Sequence, residues 1–555
     1  MDQLPILFES KENKEEVLTM ATTPQNSTSM NLPLEPNSPS GPHFIIDRNP
    51  ATLQPLGKIE VSSPEWVQKK FQDAKKAFPG WSKLSYSERA TYLLKAKEYI
   101  LEHLDELAQV ISQDNGKPRV EALSSDIFPI CELMDYFAKN AEKILKPEKV
   151  SIGMMALLGR RSKIYYQALG VVGIISPWNF PFSIPMSGVV MALMAGNCVL
   201  LKPADATALV GIKIEEIFQA AGLPKGVFSH LPGDASTGEA LLDLPLDKVV
   251  FTGSVRVGKR VMERCAQNLI PCTLELGGKD PMIVCRDANL DNAASAAVWG
   301  AFMNSGQVCA SVERLYVDQD VASEFTRLVV EKTKLLKQGP STQTNNDLGP
   351  LTTEAQLKIV EAHVEEARQR GARIVTGGKR PENMKGYFYP PTVITGVDHS
   401  FNCVKEETFG PLLPIMTFRN EDEAIKLAND SEYGLTASVW TKDLKRGRQI
   451  AQQIRTGTVT LNECTYTHAL CQTPWGGLKK SGFGRTHGKM GLHDMVHVLH
   501  IHENRLPGFK DFWWFGYDGQ LYETLKFLCK HYTGSLIDKC KAGIRILKEM
   551  KRRKY

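Results

Sequence analysis

The sequence predicts an α/β fold built on open, doubly wound parallel sheets, and three observations carry that prediction. Short apolar runs, Val171–Ile175, Cys198–Leu201, Val249–Phe251 and Cys272–Leu274, recur with helical stretches between them, such as Ile212 to Ala221. Runs that are apolar throughout read as strands buried on both faces, which parallel sheets require. A second series, Met282–Val284, Arg314–Val317, Arg373–Val375, Leu413–Ile415 and Ser438–Trp440, implies a second α/β domain. The 555 residues are too many for one compact core and imply two or three domains.

The remaining elements follow in order. Residues 1 to about 40 are rich in Ser, Thr, Asn, Pro, Lys and Glu. Such a segment buries too little surface to offset chain entropy and is expected to be disordered. Order is expected from Phe44-Ile45-Ile46. From Glu65 to about Lys146 the pattern is helical: Trp66, Phe71, Ala74, Tyr92, Leu93, Ile100 and Leu104 recur at three- and four-residue steps. Pro147 is a natural stop. Lys163–Gln167 and Met495–His502 read as strands that fit neither series, and there is no internal repeat.

Composition narrows the class. With 42% hydrophobic and 23% charged residues the chain reads as globular. No stretch of 18 apolar residues predicts a spanning helix, and the start, Met1 to Pro5, lacks the pattern of a secretory signal. Eleven cysteines without CxxC pairs or other ligand spacing predict reduced thiols in a cytoplasmic setting and no metal site. From Leu506 to Tyr555 there are 11 Lys and Arg against 5 Asp and Glu, so the net +5 resides in the tail. The body is nearly neutral, and nucleic acid is not an expected partner.

Three motifs carry chemistry. In Phe302-Met303-Asn304-Ser305-Gly306-Gln307-Val308-Cys309, the cysteine offers a thiolate nucleophile. In Leu274-Glu275-Leu276-Gly277-Gly278-Lys279, Glu275 lies after an apolar run, where burial can raise its pKa and suit it to act as a base. In Ile175-Ser176-Pro177-Trp178-Asn179-Phe180-Pro181-Phe182, prolines on both sides stiffen the loop around Asn179, whose amide could stabilise an oxyanion. Phe251-Thr252-Gly253-Ser254-Val255-Arg256-Val257-Gly258 follows a strand and opens a helix, offering free N–H groups to a phosphate. The spacing is not GxGxxG, and alone this signal would be weak.

These motifs, in this order and spacing, resemble the NAD(P)-dependent aldehyde dehydrogenase superfamily over about Asp47 to Arg505, and the core looks similar to its plant and fungal membrane-associated branch. The resemblance implies a Rossmann-type cofactor domain, an α/β catalytic domain and a small β arm that pairs subunits. The implied organisation is a disordered segment 1–40, an NAD-binding domain 41–277 interrupted by arm strands near 150–168, and a catalytic domain 278–480. A return segment with an arm strand spans 481–505, and an extension spans 506–555. It also implies oxidation of an aldehyde to a carboxylic acid through a thiohemiacetal and a thioester on Cys309. Asn179 would hold the oxyanion and Glu275 would activate the hydrolytic water. Relatives that pass the acyl group to coenzyme A generally lack this glutamate. The implied cofactor residues are Ser176, Trp178, Lys202, Asp205, Gly253, Ser254, Gly258, Leu276, Glu407 and Phe409. Asp205, placed to repel a ribose 2′-phosphate, favours NAD over NADP. The expected assembly is a homodimer or homotetramer.

Two departures from the family pattern matter. Thr486 stands after Arg485 where a glutamate credited with proton relay is often found, so deacylation is expected to rest on Glu275 alone. Ser187 and Ala469 stand at pocket positions that are often aromatic, which predicts a wider tunnel and a medium- or long-chain aldehyde. Beyond the family core, Phe512-Trp513-Trp514-Phe515 and Tyr517 precede a basic amphipathic stretch. It reads equally as a membrane-surface segment or as a helical extension packed on the body. Two rival functions share the motifs: an inactive scaffold on the same fold, and a cysteine hydrolase that uses no cofactor.

Overall fold

The computed structural model describes residues 43–156, 158–343, 345–506, 511–531 and 533–552. The expected disorder over 1–40 lies outside the described residues. In chain order the strands begin with an antiparallel pair, β1 (Phe44–Arg48) and β2 (Pro55–Glu60). β3 (Glu148–Val150) and β4 (Arg160–Ala168) follow. Next come β5 (Val171–Ile175), β6 (Cys198–Lys202), β7 (Phe228–His230), β8 (Lys248–Thr252) and β9 (Cys272–Glu275). A further group comprises β10 (Asp280–Val284), β11 (Val312–Asp318), β12 (Arg373–Thr376), β13 (Thr392–Thr395), β14 (Leu412–Phe418), β15 (Thr436–Trp440) and β16 (Thr458–Leu461). The last are β17 (Gly482–Phe483) and β18 (Val496–Asn504).

Two sheets form the body. One has six strands in the order β17-β9-β8-β5-β6-β7, the other seven in the order β12-β13-β14-β11-β10-β15-β16. The first is parallel except for β17, and the second except for β12. In the first sheet the chain starts at β5, steps outward to β6 and β7, then returns to the other side of β5 for β8 and β9. That reversal is a topological switch point, where loops leaving β5 and β8 diverge and open a crevice. Burial explains the strand composition: all five residues of β6 are buried, as are those of β10. The predicted strands are all present. The sequence reading missed the β1–β2 pair, of which it marked only the start of order at Phe44, and β7, β13, β16 and β17, which are two to four residues long, too short for a periodic signal.

The predicted helical region resolves into helices from Pro64–Trp81 to Phe128–Ile144, interrupted by a π-turn at Ala122–Ile127. Ser85 starts one of them with a capping box: its hydroxyl accepts from Glu88 N, and Glu88 reaches back to Ser85 N at 2.7 Å. Apart from the two sheets, β18 pairs antiparallel with β4 over nine residues, and β4 pairs with β3.

The tail is folded. Helices Gly519–His531 and Leu536–Arg552 pack on each other, burying Leu521, Leu528, Ala542 and Ile546 around Phe512 and Leu158 of the body. A buried ion pair joins Arg160 to Asp511, and Arg552 closes the hairpin on Asp518 at 2.6 Å. Among the described residues no helix is long and apolar enough to cross a membrane.

Candidate active site

Cys309 lies in the short connection between the turn Met303–Gly306 and β11. That turn is conformationally costly: Asn304 and Ser305 sit at φ 51° and 55°, left-handed values that ordinary residues avoid. Gly306 follows at φ 75°, and a Cβ there would meet the Gly410 carbonyl oxygen at 2.2 Å. Buried hydrogen bonds hold the strained backbone. Both Glu121 carboxylate oxygens accept from Asn304 N at 3.1 Å. Ser305 Oγ donates to Gly349 O at 2.8 Å, and Gln307 Oε1 accepts from Thr352 N at 2.8 Å. The half-buried Cys309 thiol is pushed above its usual pKa by burial, reinforced by the carboxylates of Asp280, Glu407 and Glu275.

Glu275 is the last residue of β9 and is buried. Neither carboxylate oxygen has a hydrogen-bond partner among the described residues. Burial holds its pKa well above the usual carboxylate range, against the opposing pull of Arg485. A carboxyl held this way binds its proton more tightly than an ordinary one and, once ionised, is the stronger base for it.

Asn179 is fixed through its backbone. Its carbonyl accepts from Asn304 Nδ2 at 2.8 Å and from Lys117 Nζ at 2.9 Å. Lys117 is paired at 2.7 Å with Asp126, both side chains fully buried, and Asp126 also accepts from Phe182 N and Ser183 N. The Asn179 side-chain amide gives one N–H to Gln307 O at 3.0 Å, which leaves its second N–H for a ligand. The sequence reading missed Lys117, Asp126 and Glu121. The Asn115-Gly116 turn was their only local signal, and nothing local to them points 60 residues ahead to Asn179.

The crevice at the switch point gathers most of the remaining residues. A cavity of about 280 Å³ is lined by Trp178, Asn179, Gly253, Ser254, Glu275, Leu276, Cys309, Glu407 and Phe409. Ser254 caps the helix Val255–Gln267, its hydroxyl accepting from Val257 N. Gly258 does not line the cavity; a Cβ there would meet Leu276 Cδ2 at 2.5 Å, so the glycine lets the helix lie close against the Leu276 side chain. Glu407 closes over Gly277 and accepts from Gly278 N at 3.1 Å. Burial raises its pKa to about 8, with Glu313 adding to the shift. Phe409, at φ 50°, stands edge-on to Trp178 at 5.5 Å. Its N–H donates to Glu313 at 3.0 Å, and Glu313 is itself ion-paired to buried Lys279.

Ser176, Lys202 and Asp205 lie outside that cavity. Ser176 Oγ is buried without a hydrogen-bond partner among the described residues, and Lys202, at the end of β6, is buried and its pKa lowered by that burial. Asp205 is exposed at the start of a single turn. An unpartnered hydroxyl, a buried ammonium at a strand end and a helix start aimed into the switch-point crevice fit a dinucleotide.

Cys309 also lines a second cavity of about 260 Å³, walled by Phe128, Phe180, Trp299, Met303, Tyr466 and Trp475. Ala469 lines it, as its expected pocket role requires. Ser187 does not; it lines a third, much smaller chamber with Glu275 and Thr486.

The thiol borders both the polar crevice and the apolar pocket, and sequence comparison decides the family. Residues 38–501 match the model of the aldehyde dehydrogenase family. The chain belongs to that family. It is 40% identical over 473 residues to the 4,4'-diapolycopene aldehyde oxidase of Methylomonas sp, covering 85% of this chain and 88% of that protein. It is 39% identical to a putative succinate-semialdehyde dehydrogenase [NADP(+)] 2 of Mycobacterium ulcerans, covering 80% of this chain and 85% of that one. A crystal structure of betaine aldehyde dehydrogenase from Staphylococcus aureus in complex with NAD+ superposes with a TM-score of 0.80 at 32% identity. The match covers 83% of this chain and 92% of that one. The aldehyde dehydrogenase fold is thus the fold of this chain.

Proposed function

We propose that the protein oxidises an uncharged, apolar aldehyde of medium or long chain to the free carboxylic acid, with NAD preferred over NADP. The observation that carries this reading is the position of Cys309 between a polar crevice and an apolar pocket. The Cys309 thiolate adds to the aldehyde carbonyl. The second N–H of the Asn179 amide and the backbone N–H of Cys309 receive the developing oxyanion. Ser176, Trp178, Lys202, Asp205, Gly253, Ser254, Leu276, Glu407 and Phe409 would hold the cofactor, with Gly258 allowing the helix to approach. NAD, when bound, supplies the hydride acceptor. Glu275 takes a proton from water as that water attacks the thioester, and the Cys309 sulfur leaves.

The substrate class rests on the pocket wall, which carries aromatic and aliphatic groups, hydroxyls and one imidazole but no Lys, Arg, Asp or Glu. An ionic substrate tail would be buried without an opposite charge, whereas each added methylene gains about 0.8 kcal/mol. The Methylomonas relative, named for a diapolycopene aldehyde, agrees with this choice. An aldehyde panel assayed with both cofactors tests it. With NAD, kcat/KM should rise about fourfold per methylene through the medium-chain aldehydes and be lowest for succinate semialdehyde. A preference for the charged aldehyde, or no NADH from any aldehyde, would overturn it. The second outcome would leave the scaffold and hydrolase readings.

Two further elements of the proposal concern surfaces. β18 lies at the edge of its sheet, with Val498 and Ile501 exposed. Such an edge suits pairing with a second copy in a homodimer or homotetramer. The tail hairpin leaves Leu536, Ile537, Ile544 and Leu547 exposed among lysines. An apolar groove of about 910 Å³ runs between the hairpin and Leu158. That pattern suits peripheral attachment to an anionic membrane surface, and eleven free thiols suit a reducing compartment such as the cytoplasm.

A further inference from the structure

The small third chamber, about 30 Å³, has room for one water molecule. Cys309, Glu275, Ser187, Thr486 and His468 all line it. His468 also lines the apolar pocket, so it borders both the chamber it shares with Glu275 and the pocket proposed to admit the aldehyde. It sits on the turn Tyr466–Ala469, held edge-on by Trp475 at 5.1 Å and by His487 at 4.6 Å. Thr486, at the position where relatives often carry a relay glutamate, hydrogen-bonds His487 Nδ1 at 3.0 Å. Among the described residues no hydrogen bond to the His468 ring nitrogens competes with a ligand there.

We propose that His468 receives the proton that Glu275 collects during thioester hydrolysis, across one water in this chamber, and passes it to solvent through the apolar pocket. The inference rests on the covalent mechanism proposed above. The water oxygen bonds to the acyl carbon while one of its protons moves to Glu275. The carbon–sulfur bond then breaks, the sulfur leaves with its electron pair, and the carboxylic acid departs. Glu275, its oxygens otherwise unpartnered, now holds a proton that it must lose before the next turnover. One ring nitrogen of the His468 imidazole accepts that proton as the other gives up its own toward the mouth of the pocket, so that no imidazolium persists. Burial pushes the His468 pKa down to about 4, opposed by Asp126, so the ring rests neutral and does not retain the proton. The titratable groups facing it are Glu275 across the chamber, His487 beside it and Asp126 beneath. Its role replaces the missing glutamate: deacylation then does not rest on Glu275 alone.

The test uses 4-nitrophenyl acetate, which acylates Cys309 without any cofactor, on wild-type protein, His468→Phe and His468→Ala. His468→Phe keeps the ring contacts and should retain a burst of about one nitrophenolate per site, followed by a steady rate lowered about tenfold. His468→Ala should show the same slowed phase, restored by added imidazole, whereas His468→Phe, its space filled, should not respond. An unchanged steady rate in His468→Phe, a burst lost together with the steady rate, or no response of His468→Ala to imidazole would each overturn the proposal. A wild-type protein that bursts with the ester yet makes no NADH from aldehydes would count against the proposed dehydrogenase function and leave the role of His468 standing.

Discussion

The two cavities that meet at Cys309 are nearly equal in size, about 280 and 260 Å³, and opposite in chemistry. The cofactor side is lined by carboxylates and backbone polar groups at strand ends. The aldehyde side is lined by aromatic rings and hydroxyls without a charged side chain. On the proposed function, their difference would make one thiol selective: the polar side would supply the redox partner and the base, while the apolar side would decide what is oxidised. The two sides are rigid for different reasons. Buried ion pairs, Lys279 with Glu313 and Lys117 with Asp126, fix the polar side and the Asn179 loop. Packing of rings fixes the other.

The strongest test removes the shared element. Cys309→Ala should abolish aldehyde oxidation and ester hydrolysis together, by on the order of 10⁴-fold or more. NAD should still bind, since the crevice does not depend on the sulfur; titration of tryptophan fluorescence, with Trp178 in the crevice wall, reads this. Turnover retained in that variant would show that the cavities do not act through Cys309.

Glu275→Gln separates the two halves of the reaction. Hydride transfer precedes the step that needs the base, so NADH should appear as a burst of about one per site and turnover should then fall by roughly 10²- to 10³-fold. Stopped-flow absorbance distinguishes the outcomes. Absence of a burst would place Glu275 in an earlier step, and normal turnover would mean that another base suffices.

The same contrast sets what was legible in the sequence. Gly253, Ser254 and Glu275 were legible because strand-end chemistry is local: each lies in a short motif that follows an apolar run. Trp178, Leu276, Glu407 and Phe409 were reached only through the resemblance of their motifs to the family's. The aldehyde wall had no such signature. Phe128 and Trp299 lie on separate helices, where they are 60% and 44% exposed, and no motif marks either. Only the fold brings them to Tyr466 and Trp475. The supports were hidden for the same reason, since Glu313 holds the backbone of Phe409 from 96 residues away. Ser187, read as widening the tunnel, instead faces Glu275, because its helix turns that side toward the closed chamber. The equal weight given to two readings of the tail is partly resolved by the buried contacts of Phe512, Leu521 and Ala542, which pack it on the body.

A smaller effect probes the charges of the polar side. Glu407 ionises at about 8, and its carboxylate is among those that raise the Cys309 thiol. Below that pH the group is neutral and exerts no charge effect. Above it, the new negative charge opposes formation of a second one on sulfur. Glu407→Gln should therefore leave Cys309 alkylation by iodoacetamide unchanged at pH 7 and speed it about three- to tenfold at pH 9. Equal rates for the two proteins across the range would mean that Glu407 does not act on the thiol through charge.

The smallest effect on chemistry is expected from the tail, which contributes to neither cavity. Deletion after Arg505 leaves Arg160 without Asp511 and uncovers Leu158, so Tm should fall by roughly a few degrees. The kcat on a short soluble aldehyde should not change. The intact protein should sediment with anionic vesicles at low salt and the truncated one should not. Each lysine near the surface contributes about 1 kcal/mol, a term that salt screens, while burial of Trp514, Ile544 and Leu547 at the interface persists. Binding should therefore weaken in salt without vanishing, and the gap between long and short aldehydes should widen when the long one is presented in vesicles. If the intact protein fails to bind vesicles, the hairpin serves only as a cover for Leu158. If truncation abolishes turnover, the tail is part of the body that shapes the pockets, and the separation drawn here between tail and catalytic cavities fails.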